Sequence, residues 1–214
     1  MKKIILLVLV LSFTVAGSAF SYSVSPGDHV SLTYASGATG SAAGNFGVYD
    51  TSDNYLFDTF CVQHNTYLGS DPYTYSVTID TEIKGFASGD SGYTTLASGT
   101  KYLYWNFAMG TLSDYTGQVM SLQNAIWQLQ GYEMSVTVGN NIFYRDAIAS
   151  GSAGDNLDVM VMNLWEVSTS TDAVTAPKAY QSQLIAGAPV PEPATLILLG
   201  SGLAGLAFYR RKKK

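Results

Sequence analysis

The sequence predicts an α+β, β-rich fold: a single domain of antiparallel sheets with a few short helices, set between two terminal segments of different character. Three observations lead there. The chain of 214 residues carries 15 Tyr and 21 Gly but only 13% charged residues, a composition suited to strands and turns rather than long surface helices. Residues 20–189 lie between two apolar stretches and are enough for one domain with a core, too few for two ordinary ones. Within that body, runs rich in Val, Tyr, Thr and Phe alternate with clusters of Gly, Ser, Asn and Asp.

In chain order, Met1-Lys2-Lys3 precedes an apolar run from Ile4 to Ala16 and then the small residues Gly17-Ser18-Ala19. This is the three-part order of a cleavable signal peptide, residues 1–19, with an apolar run too short to span a bilayer. Strands are predicted at His29 to Tyr34, Phe46 to Tyr49, Tyr55 to Gln63 and Tyr73 to Ile79. In the last of these, larger apolar residues alternate with hydroxyls, the period of a sheet with one buried face. Ala87 to Gly99 reads as a loop, and the aromatic stretch Lys101 to Met109, closed by Gly110, as a short helix. A second helix runs from Asp114 or Thr116 to Gln130, because Val119, Leu122, Ile126 and Leu129 recur at helical spacing and Gly131 follows. Asn141 to Ala149 is a candidate third helix. Leu157 to Val167 returns to strand-like composition, and Thr169 to Gly187 loses periodicity. There is no internal repeat.

At the far end, Val190-Pro191-Glu192-Pro193 introduces an apolar stretch from Ala194 to Tyr209, which runs into Arg210-Arg211-Lys212-Lys213-Lys214. The two prolines stop a helix from extending backwards, and the five cations hold that end in the cytoplasm. The arrangement over residues 190–214 resembles the PEP-CTERM sorting signal of Gram-negative envelope proteins. The resemblance implies an exosortase-type membrane protease acting near Pro191, Glu192 and Pro193. It also implies transient anchoring in the inner membrane and a final place at the cell surface or in extracellular matrix.

The body holds four cations, Lys84, Lys101, Arg145 and Lys178, against fifteen Asp and Glu, a net of −11. That balance argues against nucleic acid and against adsorption on anionic lipid, both of which need Lys and Arg to neutralise phosphates. Cys61 is the sole cysteine, so no internal disulfide can form. On the second helix, Val119, Gln123 and Trp127 stand at i, i+4 and i+8, which puts the Gln123 amide in or beside the apolar stripe, where it needs a partner. A backbone group is the ordinary partner, and burial as a small apolar residue the ordinary fate of Cys61.

Leu122-Gln123-Asn124-Ala125-Ile126-Trp127 resembles the Gln-x-Ala-Ile/Val-Trp motif of the thioester domain of bacterial surface adhesins, and Phe60-Cys61-Val62 resembles that domain's cysteine segment. The resemblance covers Tyr55 to Gly131, with Leu122 where a Thr is common. It implies an internal thioester between Cys61 and Gln123, formed with loss of ammonia and shielded by Phe60 and Trp127, with Tyr102, Tyr104 and Trp105 as further wall candidates. Its partner would be an amine or hydroxyl nucleophile on a protein or polysaccharide of a surface or matrix. The body's three lysines suit a protein that should not acylate itself.

Two other readings remain. A structural or non-covalent binding protein of an extracellular polysaccharide or biofilm matrix would carry the same sorting signal, with Cys61 buried and Gln123 a satisfied core amide. A cysteine hydrolase using Cys61 and His64, oriented by Asp58, is disfavoured because positions 61 and 64 on one strand point to opposite faces, leaving His64 at a strand end. Asp50, Asp53, Asn54 and Asp58 cluster without the spacing of a calcium loop. No metal site, no cofactor and no catalytic residue is expected, and the protein is expected not to be an enzyme.

Overall fold

A computed structural model describes residues 20–34, 45–68, 74–85, 92–112, 118–134, 140–167 and 178–189. The expected signal peptide, the apolar tail with its basic end, and the proposed start of the second helix lie outside the described residues. The chain divides into two units. In one, the short strands β1 (Phe20–Ser21) and β8 (Ala188–Pro189) pair antiparallel. The other, Tyr22–Gly187, contains everything else described here.

Six strands form one antiparallel sheet: β2 (His29–Tyr34), β3 (Asn45–Tyr49), β4 (Tyr55–Phe60), β5 (Thr74–Asp80), β6 (Val159–Glu166) and β7 (Gln183–Ala186). Their order is β4-β3-β2-β5-β6-β7. β6 lies between β5 and β7 with both of its faces covered, which is why Val159-Met160-Val161-Met162 is a continuous apolar run rather than an alternating one. Val159 and Val161 look toward the helices, joining Phe60, Leu103, Leu122, Ile126, Phe143 and Leu184. Met162 and Leu164 look the other way, joining Val30, Val48, Tyr75, Val77 and Ile185. Each large apolar side chain so buried contributes about 1.5–3 kcal/mol.

The sheet curls until its edges meet. Cys61, just past the end of β4, bridges Gln183 at the start of β7 in antiparallel fashion. The Val62 N–H donates to the Ser182 carbonyl at 3.1 Å, and the Thr59 hydroxyl donates to the Leu184 carbonyl at 2.6 Å.

Three helices pack on the sheet: α1 (Ser98–Ala108), α2 (Val119–Leu129) and α3 (Ile142–Ala149). α3 starts on a local signal, the Asn141 side chain accepting from the Tyr144 N–H at 3.2 Å. α1 starts three residues before the expected Lys101, inside the predicted loop, and its N-cap residue Ala97 offers no capping side chain. The substitute comes from the end of α2: Gln130 Oε1 accepts from the Ala97 N–H and the Thr100 hydroxyl, both at 2.9 Å, and its Nε2 donates to the Thr95 carbonyl at 3.2 Å. β7 falls in the stretch that lacked periodicity. Four residues with mostly buried side chains carry no alternation to read.

Candidate functional site

The site is built at the seam where β4 and β7 meet. Cys61 lies one residue beyond the last β3–β4 pair, Asn45↔Phe60. On one flank it faces Gln183 of β7. On the other, its N–H donates to Gln123 Oε1 at 3.1 Å, and its carbonyl accepts from Gln123 Nε2 at 2.8 Å. The glutamine side chain thus acts as one more peptide unit of the sheet, delivered by a helix. α2 presents it there because Leu122, Ala125, Ile126 and Leu129 pack toward the sheet while Trp127 packs beside Cys61, leaving Gln123 between two buried faces. The ordinary expectation for a buried amide, a backbone partner, is met, and the backbone concerned is that of Cys61.

The sulfur has its own partners. Cys61 Sγ donates to Gln181 Oε1 at 2.9 Å, and Gln183 Nε2 lies 3.6 Å from it. Backbone groups fix which end of each amide is which. Gln181 Nε2 donates to the Gln63 carbonyl at 2.7 Å, and Gln183 Nε2 donates to the Gln181 carbonyl at 3.2 Å. Gln63 Oε1 accepts in turn from the Ser182 N–H at 2.6 Å. Burial pushes the Cys61 thiol up to about 12, so it holds its proton at neutral pH. Gln181 and Gln183 neither take nor supply a proton, so the sulfur's hydrogen-bond partners among the described residues include no general base.

The wall around Cys61 consists of Phe46, Trp127 and Tyr132, with Leu32, Leu68 and Met134 at its margin. Phe60 is fully buried but sits on the other side of its strand, edge-on to Phe107 at 5.0 Å, because neighbouring strand residues face opposite ways. Tyr102, Tyr104 and Trp105 also lie on that helix side. His64 is half-buried and packs edge-on against Trp127, with ring centroids 4.7 Å apart. β4 ends at Phe60, so the alternation invoked for positions 61 and 64 does not extend to His64, which joins the wall of the Cys61 cluster. Its Nδ1 pairs with Asn65 Oδ1 at 2.9 Å.

Two buried polar atoms near the seam have no hydrogen-bond partner among the described residues: Trp127 Nε1 and Gln183 Oε1. Leaving such an atom unpaired costs roughly 1–3 kcal/mol. Elsewhere, Asp50 is committed to a turn, accepting from the Ser52 N–H and from both nitrogens of Asn54, bonds that hold its carboxyl below the usual range. Among the described residues no three His, Cys, Asp or Glu side chains are grouped to hold a metal. The sequence reading missed Gln63, Gln181, Gln183, Phe46 and Tyr132. The one visible trace was Gln181-Ser182-Gln183, a polar run directly before Leu184-Ile185.

The chain's cellular context comes from its other end. Residues 189–213 match the PEP-CTERM protein-sorting motif. No curated protein and no solved structure matches the chain. The PEP-CTERM motif implies export, transient anchoring in the membrane, processing by exosortase, and release to the cell surface or extracellular space. It begins at Pro189, the residue paired with Phe20, so the sorting segment starts where the last described strand ends.

Proposed function

We propose that this is an exported surface or matrix protein that attaches itself covalently, once, through a Cys61–Gln123 thioester. The observation that carries the reading is the two-point clamp of the Gln123 amide on the Cys61 backbone, at 3.1 and 2.8 Å, inside a fully buried site. It brings the amide carbon to the residue that bears the nucleophile. It also gives the Cys61 N–H a role: donating to Gln123 Oε1, it polarises the carbonyl and stabilises the oxyanion formed when sulfur adds. The thiol proton passes to the amide nitrogen, the C–N bond breaks, and ammonia leaves a thioester behind.

Burial suits the product as well as the reaction. A thioester hydrolyses slowly where water is excluded, and Trp127, Phe46 and Tyr132 exclude it on the Cys61 side. When a nucleophile reaches the carbonyl, the C–S bond breaks, the acyl group moves to the newcomer, and the thiol returns. The bond is consumed, so the protein acts as a single-use adhesin rather than as a catalyst with turnover. The sorting motif supports the setting, since covalent anchoring serves a protein released to the surface or beyond it.

The test is the intact mass of the full chain purified in detergent, beside Cys61→Ala, before and after methylamine. A wild-type mass short by one ammonia, replaced by the methylamine adduct on treatment and absent in the variant, is the expected outcome. A wild type at full sequence mass with a titratable thiol would overturn the proposal and turn attention to a non-covalent matrix role.

A further inference from the structure

Both ends of the larger unit are tied to Asp158. The Tyr22 hydroxyl donates to Asp158 Oδ1 at 2.5 Å, and the Gly187 N–H donates to the Asp158 carbonyl at 2.9 Å. Tyr22 directly follows β1 and Gly187 directly precedes β8, so one residue holds the chain where it enters that unit and where it leaves. The Tyr22 ring packs on the cluster of Val24, Val30 and Ile185. Burial, followed by the bond to Asp158, pushes its hydroxyl above the ordinary tyrosine range, so it remains a donor at neutral pH. Along the chain from this latch, β1 and β8 pair with Ser21 opposite Ala188 and Phe20 opposite Pro189.

The sequence sets what this pairing confines. Pro189 is the first residue of the matched sorting motif, and only Val190, Pro191, Glu192 and Pro193 separate it from the apolar run that starts at Ala194. At full extension the backbone from Pro189 to Ala194 spans about 17 Å. A protease takes its substrate as extended backbone on both sides of the bond it cuts, and it cuts the opened form of a segment that is otherwise paired. Pairing of Ala188 and Pro189 with β1 therefore withholds the body side of Pro-Glu-Pro. We propose that the β1–β8 pair, latched by Tyr22 and Gly187 on Asp158, is an autoinhibitory clasp on removal of the sorting tail. The membrane protease acts on the open clasp, and the Tyr22–Asp158 bond sets how often it opens, a local event that leaves the rest of the fold intact. Asp158 leads into β6 and Gly187 follows β7, strands that pair Val159 with Ala186, so the latch belongs to a chain whose last two strands have docked. Tyr22 and Asp158 are positioning residues for processing, and their role is independent of the thioester.

The experiment follows release of the full chain from the membrane fraction of an exosortase-bearing host over time, with mass spectrometry of the released form locating the cut. Tyr22→Phe removes the latch bond while keeping the ring. Ser21→Cys with Ala188→Cys, in a Cys61→Ala background, places two thiols on directly opposed residues, a spacing that a disulfide can bridge. Release of Tyr22→Phe is expected to be roughly tenfold faster, the change in opened population that losing one net hydrogen bond brings. The oxidised double-cysteine chain should stay in the membrane and be released once dithiothreitol reduces it. Release of Tyr22→Phe at the unaltered rate, or of the oxidised double-cysteine chain as fast as its reduced form, overturns the clasp. Should Tyr22→Phe be degraded instead of released at the motif, the disulfide comparison decides alone. An unaltered chain that is never released removes exosortase processing itself, and the clasp with it.

Discussion

Gln123 and Cys61 hold each other through backbone atoms, and this separates two variants that would otherwise look alike. Gln123→Leu removes the partner of both the N–H and the carbonyl of a buried residue and is expected to cost roughly 1–3 kcal/mol in urea denaturation as well as abolishing the mass deficit. Cys61→Ala abolishes the deficit but keeps that pairing, so its stability loss should be the smaller of the two. A pH dependence follows from the buried thiol. Its folded value of about 12 lies above the ordinary thiol value of about 8.5, so the folded state prefers the protonated form. The stability this contributes is complete below the ordinary value and is lost as pH rises toward 12. Methylamine-treated protein, its thiol freed, should therefore lose melting temperature faster than Cys61→Ala from about pH 8.5 upward; parallel curves would contradict the burial of the thiol. The sequence disclosed the pair because helical spacing and one short motif suffice to find Gln123 and a sole cysteine is conspicuous. It could not disclose Gln181 and Gln183, which reach the sulfur only through a strand pairing between residues far apart in the chain.

The starts of α1 and α3 show what a local sequence signal can and cannot reveal. The period of Leu122, Ile126 and Leu129 marked α2, and Asn141 stands at the start of α3 as a recognisable cap. The start of α1 carries no such mark, because its capping group is Gln130, a residue of another helix end. Gln130→Leu should expose this dependence, destabilising the fold by roughly 1–3 kcal/mol although α1 itself is untouched; circular dichroism with urea titration measures it. Close packing at the same helix start gives a second check. A Cβ on Gly154 would stand 1.9 Å from the Ser98 carbonyl oxygen, a backbone atom that cannot swing aside. Gly154→Ala is expected to cost about 1–3 kcal/mol, in contrast to Gly110→Ala, where no neighbour lies within 4 Å and only the positive φ of 67° is strained.

For the molecule as a whole, the β-rich antiparallel architecture was legible from composition and turn spacing, whereas the curling of the sheet was not, since nothing local in β4 or β7 announces that they are neighbours. The sorting segment was legible because its order of Pro-Glu-Pro, apolar run and cations is read linearly. Replacing Pro191, Glu192 and Pro193 by Ala should leave the chain in the membrane fraction of an exosortase-bearing host, where the unaltered chain is released; equal release would argue against processing at that motif. The seam also sets an order of events. Cys61 meets Gln123 across 62 residues and Gln181 across 120, so the sulfur is surrounded only when the last strand has docked. A chain threading through an export channel, or one cut short before β7, has Cys61 and Gln123 but not the closed seam that the proposed thioester would need. The acyl bond would accordingly be the last thing the protein makes, a timer that starts when folding ends and that keeps the electrophile from meeting any amine in the compartment where the chain was synthesised.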